Sequence, residues 1–161
     1  MANKASIYNV ANSVSVEILC AEGRGSGVII QKEKNAYTVL TNEHVLKEYK
    51  SNSIVYLVTC DKKVHIVDNQ TIFKSKTVDV GLVKFYSTEE YKIAKIDKED
   101  EVKIGDDIFI AGFRSGQMLE DNTLRFVSGN IISVSKKFVT DGWELYFNGP
   151  TVRGMSGGPL F

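Results

Sequence analysis

A serine flanked by glycines stands near the end of the sequence, in the segment Gly154-Met155-Ser156-Gly157-Gly158. Glycine tolerates positive φ, so a loop of this composition can expose the serine hydroxyl and turn backbone N–H groups toward an oxyanion. These are the requirements of a nucleophilic serine. A glycine-rich turn without chemistry fits the same residues, so the segment alone leaves both interpretations open.

A histidine and an aspartate precede that serine in the chain. His44 follows an apolar strand pattern at the start of a predicted helical turn, and Asp79 stands at the mouth of the apolar segment 80–85. Each has a plain structural interpretation, the histidine as a surface or capping group and the aspartate as a turn residue. The three residues nevertheless occur in the order histidine, aspartate, serine.

The elements that must position these residues are predicted to be β-strands. The dominant hydrophobic period is two, as in Val14, Val16 and Ile18. The predicted strands cover 14–20, 26–31, 36–41, 54–59, 64–67, 71–74, 80–85, 92–96, 107–112, 123–127, 130–135 and 143–147. One short helix is predicted over 42–49, with Thr41 as its cap. Turn-rich joints between the strands indicate closed or sandwiched antiparallel sheets.

A polar run divides the strands into two blocks. Residues 97–101 contain no apolar side chain, which predicts a linker between a first β-module over 1–96 and a second over 102–161. The sequence has no internal repeat of fixed period, so a propeller or a solenoid is disfavoured. Two small β-barrels fit the pattern better.

Composition excludes several classes of protein. The 161 residues include 20 Lys or Arg and 20 Asp or Glu, so the formal charge is zero. Nucleic acids and anionic membranes select a basic excess, and neither is therefore an expected partner. No apolar stretch has the length of a signal peptide or of a membrane span. We expect a cytoplasmic protein.

Cysteines and histidines give no sign of a metal centre. Cys20 and Cys60 form neither a C-x-x-C pair nor a disulfide framework, and we expect half-buried or core thiols. His44 and His65 are not spaced with cysteines or carboxylates as zinc ligands are. His65 alternates with Val64 and Ile66, which predicts that its side chain faces solvent. No metal and no cofactor are expected.

Three further motifs accompany the histidine, aspartate and serine segments: G-S-G-V-I-I at 25–30, I-G-D-D-I-F-I-A-G-F at 104–113 and V-S-G-N-I-I-S at 127–133. In this order, and over nearly the whole chain, the motifs resemble those of chymotrypsin-fold serine proteases of the HtrA-like, bacterial trypsin-like group. The resemblance implies an all-β fold of two six-stranded-type antiparallel β-barrels. His44 and Asp79 would lie in the first barrel and Ser156 in the second.

The resemblance also implies a serine endopeptidase. Ser156 would attack the peptide carbonyl, His44 would take its proton and return it to the leaving amine, and Asp79 would hold the His44 tautomer. The backbone N–H groups of Gly154 and Ser156 would form the oxyanion hole. The G-M-S-G-G-P form at 154–159 resembles intracellular peptidases that are fused to, or associated with, a regulatory module.

The segment ahead of the nucleophile is expected to bind the protein or peptide substrate, through Pro150, Thr151, Val152 and Arg153. If Arg153, Arg114 and Arg125 line the cleft, they would favour acidic substrates. A solvated surface position is the alternative for each arginine.

The sequence ends at Phe161, directly after the nucleophile segment. In the family a further pair of strands follows, so we expect the second barrel to lack its final strands. This leaves an alternative function, that of an inactive or conditionally active peptide-binding module which needs the missing C-terminal strands or a partner. A third hypothesis is an esterase or acyl transferase that uses the same three residues.

Overall fold

The computed structural model describes residues 3–21, 23–47, 53–96, 102–114, 123–134 and 145–161. The chain begins with helix α1, Lys4–Val14, capped by Asn3, whose Oδ1 accepts the Ser6 backbone N–H at 2.8 Å. The sequence pattern predicts no helix over these residues, which is wrong. The helix buries Ala11 and Val14, a face too narrow to give a clear helical period.

A seven-stranded antiparallel sheet follows α1, in the order β5-β4-β1-β2-β3-β7-β6. Its strands are β1 (Ser15–Cys20), β2 (Gly23–Glu33), β3 (Ala36–Thr41), β4 (Tyr56–Val58), β5 (Val64–Ile66), β6 (Phe73–Lys74) and β7 (Gly81–Tyr86). Single turns of 3₁₀ helix lie at Glu43–Leu46, between β3 and β4, and at Asn69–Thr71, between β5 and β6.

The first sheet encloses the larger core of the protein. Alternate side chains of strand β7 point into this core. Val83 and Phe85 are fully buried, whereas Tyr86, one residue after Phe85, is 57% exposed. The Phe85 ring stacks on Tyr37 of β3 at a centroid distance of 5.2 Å. The same core contains Val16, Ile18, Ile29, Val39, Leu46, Val55, Leu57, Val67 and Tyr91.

The described part of the second module contains a three-stranded antiparallel sheet in the order β10-β9-β8. The strands are β8 (Asp107–Phe113), β9 (Leu124–Val134) and β10 (Leu145–Asn148). The predicted strands 123–127 and 130–135 are one continuous strand, β9, with residue 135 outside the described part. The predicted strand 143–147 corresponds to β10, with 143 and 144 outside it.

Helix α1 packs on the second sheet although it precedes the first. Ala11 is fully buried in a cluster with Ala111, Phe113 and Leu124, and the Tyr8 ring meets Phe126 edge to face at 5.5 Å. The first residues of the chain therefore hold the two sheets together.

Two further predictions of secondary structure need correction. Residues 92–96 form no strand, and one backbone bond, from the Ala94 N–H to the Ile29 carbonyl at 2.8 Å, ties this segment to β2. The predicted helix 42–49 is the 3₁₀ turn Glu43–Leu46, and residues 48 and 49 lie outside the described part. Asn42, not Thr41, occupies the cap position, and its side chain makes no capping hydrogen bond. The Thr41 hydroxyl donates to the Ser26 carbonyl at 2.7 Å.

His65 faces inward, contrary to the prediction. Its ring packs on Phe85 at 4.6 Å, and its Nε2 lies 3.0 Å from the Tyr91 hydroxyl. Its neighbours Val64 and Ile66 are 62% and 64% exposed. The alternation along β5 is as predicted, but the two faces are exchanged.

The predicted β class is confirmed: the described chain is mostly antiparallel β-structure. The linker at 97–101 lies outside the described residues, so the division into modules 1–96 and 102–161 stays a prediction. Within the residues that the structure describes, no helix is both long and apolar enough to cross a membrane.

Candidate active site

The register of two neighbouring strands brings His44 and Asp79 together. β3 and β7 are antiparallel, and Thr41, the last residue of β3, pairs with Gly81, the first residue of β7. The chain leaving β3 and the chain entering β7 therefore run side by side. His44 lies three residues after Thr41, and Asp79 lies two residues before Gly81.

Asp79 makes two hydrogen bonds to His44. Its Oδ2 lies 2.6 Å from the imidazole Nδ1, and its Oδ1 accepts the His44 backbone N–H at 2.9 Å. The Asn42 side chain fixes the aspartate in turn, because its Nδ2 donates to the Asp79 carbonyl at 2.8 Å. A carboxylate only accepts hydrogen bonds, so this pairing places the neutral imidazole proton on Nδ1 and leaves the Nε2 lone pair available as a base.

Two tight turns shape the loop that carries Ser156. Gly154 and Gly157 have positive φ values of 99° and 84°. The Met155 N–H donates to the Val152 carbonyl at 3.2 Å, and the Gly158 N–H donates to the Met155 carbonyl at 3.0 Å. Met155 is buried, whereas Ser156 is exposed at the tip of the loop. The motif thus presents its serine to solvent.

The serine loop docks on the first sheet beside the histidine turn. The Ser26 backbone N–H donates to the Ser156 carbonyl at 2.8 Å. A Cβ at Gly157 would stand 2.3 Å from the Thr41 hydroxyl and 3.2 Å from the Asn42 backbone nitrogen. This approach is open only to glycine. Ser156 is therefore carried on a loop whose next residue touches the chain two residues before His44.

The histidine and the serine are adjacent in the fold without being bonded to each other. Among the described residues, no hydrogen bond joins Ser156 Oγ to His44 Nε2. The structure thus joins His44 to Asp79 directly and brings the Ser156 loop next to them.

The two N–H groups predicted to form an oxyanion hole are free in the part of the chain that the structure describes. Neither the Gly154 nor the Ser156 N–H donates to another described residue, whereas the Met155 N–H between them is taken by Val152. Free backbone donors at a tight turn are what an oxyanion requires.

The predicted substrate residues form the exposed stretch directly ahead of the loop. Pro150, Thr151, Val152 and Arg153 are all exposed, and the Thr151 N–H donates to the Gly149 carbonyl at 2.8 Å. Arg114 and Arg125 are exposed as well. A role of any of these residues in substrate binding stays a prediction.

A pocket of about 410 Å³ adjoins the histidine and the aspartate, and no sequence motif indicates it. Lys47 reaches it from the 3₁₀ turn, and Lys76 reaches it from the segment before β7. The lining residues are Glu43, His44, Lys47, Ser75, Lys76, Thr77, Val78 and Asp79. The two lysines belong to no motif, and only the β3–β7 register brings them together.

Other reactive groups are poor candidates for the chemistry. Burial raises the pKa of the Cys20 thiol, which disfavours the reactive thiolate. The Cys20 Sγ donates to the Val45 carbonyl at 3.6 Å. No group of three histidine, cysteine or acidic side chains within the described ranges is arranged to hold a metal ion. Ser156 is the candidate nucleophile.

Comparison with known proteins yields one family and a common fold. The model of a family described as "Trypsin-like peptidase domain" matches residues 25–161. No curated protein matches the chain significantly. The crystal structure of Deg5 is similar with a TM-score of 0.75 and 17% identity, over 99% of this chain and 81% of that chain. The inactive form of a serine-to-alanine mutant of Rv3671c from M. tuberculosis H37Rv has a TM-score of 0.69 and 16% identity, over 98% of this chain and 73% of that chain.

Proposed function

The chain belongs to the trypsin-like peptidase domain family, and from this premise we propose that it is a serine endopeptidase in which Ser156, His44 and Asp79 act as nucleophile, base and orienting carboxylate. The observation that carries the proposal is the pair of hydrogen bonds from Asp79 to the ring and the backbone of His44. An aspartate that only capped the helical turn would need the backbone bond alone.

The proposed reaction begins with proton transfer from Ser156 to His44. As the Ser156 Oγ attacks the carbonyl carbon of the substrate, the Nε2 of His44 takes the hydroxyl proton, and Asp79 stabilises the resulting imidazolium. The tetrahedral intermediate then expels the amine, which receives that proton from His44. An ester between Ser156 and the acyl half of the substrate remains. Water, activated by His44, hydrolyses this ester and frees the serine.

The free N–H groups of Gly154 and Ser156 are proposed to stabilise the oxyanion. Each such donor is typically worth about 3–4 kcal/mol of the activation barrier. The Ser156 N–H belongs to the peptide unit whose carbonyl, that of Met155, accepts the Gly158 N–H, so this donor is oriented before substrate arrives. This arrangement needs no metal and no cofactor.

The proposed substrate is a protein or peptide chain. Residues 150–153 would contact it on one side of Ser156, and the pocket between Lys47 and Lys76 would receive a side chain near the histidine. The cytoplasmic location and a fused or associated regulatory module stay predictions.

The test is covalent labelling with a fluorophosphonate, a probe that reacts with activated serines. We expect the wild-type protein to be labelled at Ser156, as located by mass spectrometry of the modified peptide. Ser156→Ala should abolish the labelling without changing the circular dichroism spectrum. A folded wild-type protein that resists the probe over hours would contradict the proposal.

A second candidate function is that of a peptide-binding module that is inactive, or that hydrolyses peptides only after further C-terminal strands or a partner complete it. The observation that favours it is the missing hydrogen bond between the Ser156 and His44 side chains in the described part of the chain. This candidate predicts that the wild-type protein binds unfolded polypeptide with no labelling at Ser156. Labelling of the protein alone would exclude it.

A further inference from the structure

Ser26 of β2 lies at the junction of the two sheets. Its side chain is completely buried. Its hydroxyl donates to the Gly154 carbonyl at 2.7 Å and accepts the Phe113 backbone N–H at 2.7 Å. Its backbone N–H donates to the Ser156 carbonyl at 2.8 Å. One residue of the first sheet thus bonds both β8 of the second sheet and the nucleophile loop.

The direction of these bonds is fixed by chemistry. An amide N–H can only donate and a carbonyl oxygen can only accept, so the Ser26 hydroxyl must receive from Phe113 and give to Gly154. A hydroxyl is the small neutral group that does both at once. Alanine at this position would leave a buried N–H and a buried carbonyl without their partner.

Ser26 anchors two of the three peptide units between Gly154 and Gly157. Its hydroxyl fixes the unit after Gly154, and its N–H fixes the unit after Ser156. The unit between them is fixed within the loop, because the Met155 carbonyl accepts the Gly158 N–H. The orientation of the loop relative to His44 therefore depends on a residue of β2.

We propose that Ser26 is a positioning residue: its bonds to the Gly154 and Ser156 carbonyls hold the peptide units on both sides of the unit that carries the Ser156 N–H, and so place that N–H and the Ser156 hydroxyl beside His44. The inference rests on the proposed function of this loop. Ser26 does not touch the reacting atoms, and it acts through the backbone that carries them.

The chain offers a matched control for removal of the hydroxyl. Ser15 of the neighbouring strand β1 is 1% exposed, and its Oγ has no hydrogen-bond partner in the described residues. Ser15→Ala and Ser26→Ala delete the same atom from buried positions of one sheet. Only the second deletion breaks bonds to the loop. Ser26→Cys keeps the shape of the side chain with a weaker donor.

Two measurements test the proposal together. The first is amide hydrogen exchange, followed at Phe113 and over 152–158. In Ser26→Ala we expect faster exchange at these sites and unchanged exchange in β3 and β7. The second is the rate of fluorophosphonate labelling, together with kcat and KM on a peptide substrate. We expect labelling and kcat to fall about tenfold or more, with KM nearly unchanged. Ser26→Cys should lie between Ala and wild type, and Ser15→Ala should match wild type.

Each outcome tells whether Ser26 positions the serine loop or only contributes to the stability of the fold. Wild-type labelling and wild-type exchange in Ser26→Ala would overturn the proposal. Exchange that rises throughout the protein would also overturn it, because a general loss of stability would explain the rest. If wild type is not labelled at all, the peptidase proposal fails. The exchange measurement then still decides, because a local increase at Phe113 and 152–158 supports positioning and no increase refutes it.

Discussion

The Asp79 carboxylate forms hydrogen bonds to both the ring and the backbone of His44. Its Oδ2 lies 2.6 Å from the ring Nδ1, and its Oδ1 lies 2.9 Å from the backbone nitrogen. The backbone bond fixes the carboxylate to the turn, and the ring bond fixes the imidazole to the carboxylate. Rotation of the ring would break the short side-chain bond. The pair is therefore ordered before any substrate binds.

Asp79→Asn should leave the fold intact and remove the base. The amide Nδ2 would donate to Nδ1 and move the imidazole proton to Nε2, where it blocks proton transfer from Ser156. We expect fluorophosphonate labelling to slow by about 10³- to 10⁴-fold. Asp68→Asn is the matched control, since Asp68 also caps a 3₁₀ turn, through the Gln70 N–H at 3.1 Å. Equal labelling of the two variants would contradict this role of Asp79.

Gly157→Ala should disrupt the loop through two effects, the strain of an alanine at positive φ and a clash of its Cβ with neighbouring atoms. Gly157 and Gly105 both have positive φ, but a Cβ at Gly157 would stand 2.2 Å from the Ser26 carbonyl oxygen, whereas nothing lies within 4 Å at Gly105. We expect Gly105→Ala to cost about 1–2 kcal/mol of unfolding free energy and to keep labelling. Gly157→Ala should cost more and abolish labelling. Urea unfolding and labelling of both variants measure the difference.

Phe85→Ala should be among the most destabilising substitutions in the first sheet. Phe85 is fully buried and contacts the rings of Tyr37, His65 and Tyr91. Loss of such a side chain leaves a cavity and typically costs about 3–5 kcal/mol. Phe73→Ala is the control, because Phe73 is 53% exposed. If chemical denaturation finds equal losses, Phe85 does not support the core as described.

Stability should fall as the pH drops below about 6.5, and His65 should contribute to the fall. Burial lowers the pKa of His65 from its ordinary value of 6.5, with smaller effects from Asp61, Lys63 and Glu89. Below that value the unfolded chain binds a proton more readily than the folded one, so acid favours unfolding. The contribution is complete above pH 6.5 and is lost as the pH falls toward the folded pKa.

The measurement compares wild type with His65→Gln in thermal denaturation at pH 5 to 7. Glutamine can still hydrogen-bond but does not titrate in this range. We expect Tm to depend less steeply on pH in the variant. Identical slopes for the two proteins would show that His65 does not titrate on unfolding.

The sequence predicts most of the β-strands from their hydrophobic alternation. It also predicts the three chain segments that contain the candidate site residues. In β7 buried and less buried residues alternate along the strand, and the order of His44, Asp79 and Ser156 is plain in the sequence. The positions of His44 and Asp79 along the sequence do not show that the two side chains meet in space. They meet because Thr41 of β3 pairs with Gly81 of β7. Register is a long-range property that no local pattern contains.

The failures have physical reasons as well. On β5 the valine and isoleucine face solvent and His65 faces inward, because His65 finds the Tyr91 hydroxyl and the Phe85 ring inside. Hydrophobicity alone assigns the two faces wrongly when a polar side chain has partners in the core. Ser26 was visible in the sequence only as part of a motif, since its role depends on residues more than 80 positions away.

The bond between Ser26 and Gly154 joins residues 128 positions apart, which has a consequence for folding. Contacts between such distant residues form slowly, because a long stretch of chain must first lose its freedom. The first sheet can form its β1–β2 and β2–β3 hairpins from neighbouring segments well before this bond closes. His44 and Asp79 are 35 positions apart, so their pairing closes a shorter loop than the bond that docks the serine loop, and we expect it to form earlier. The proposed reaction would therefore depend on a contact that closes one of the longest loops of the fold.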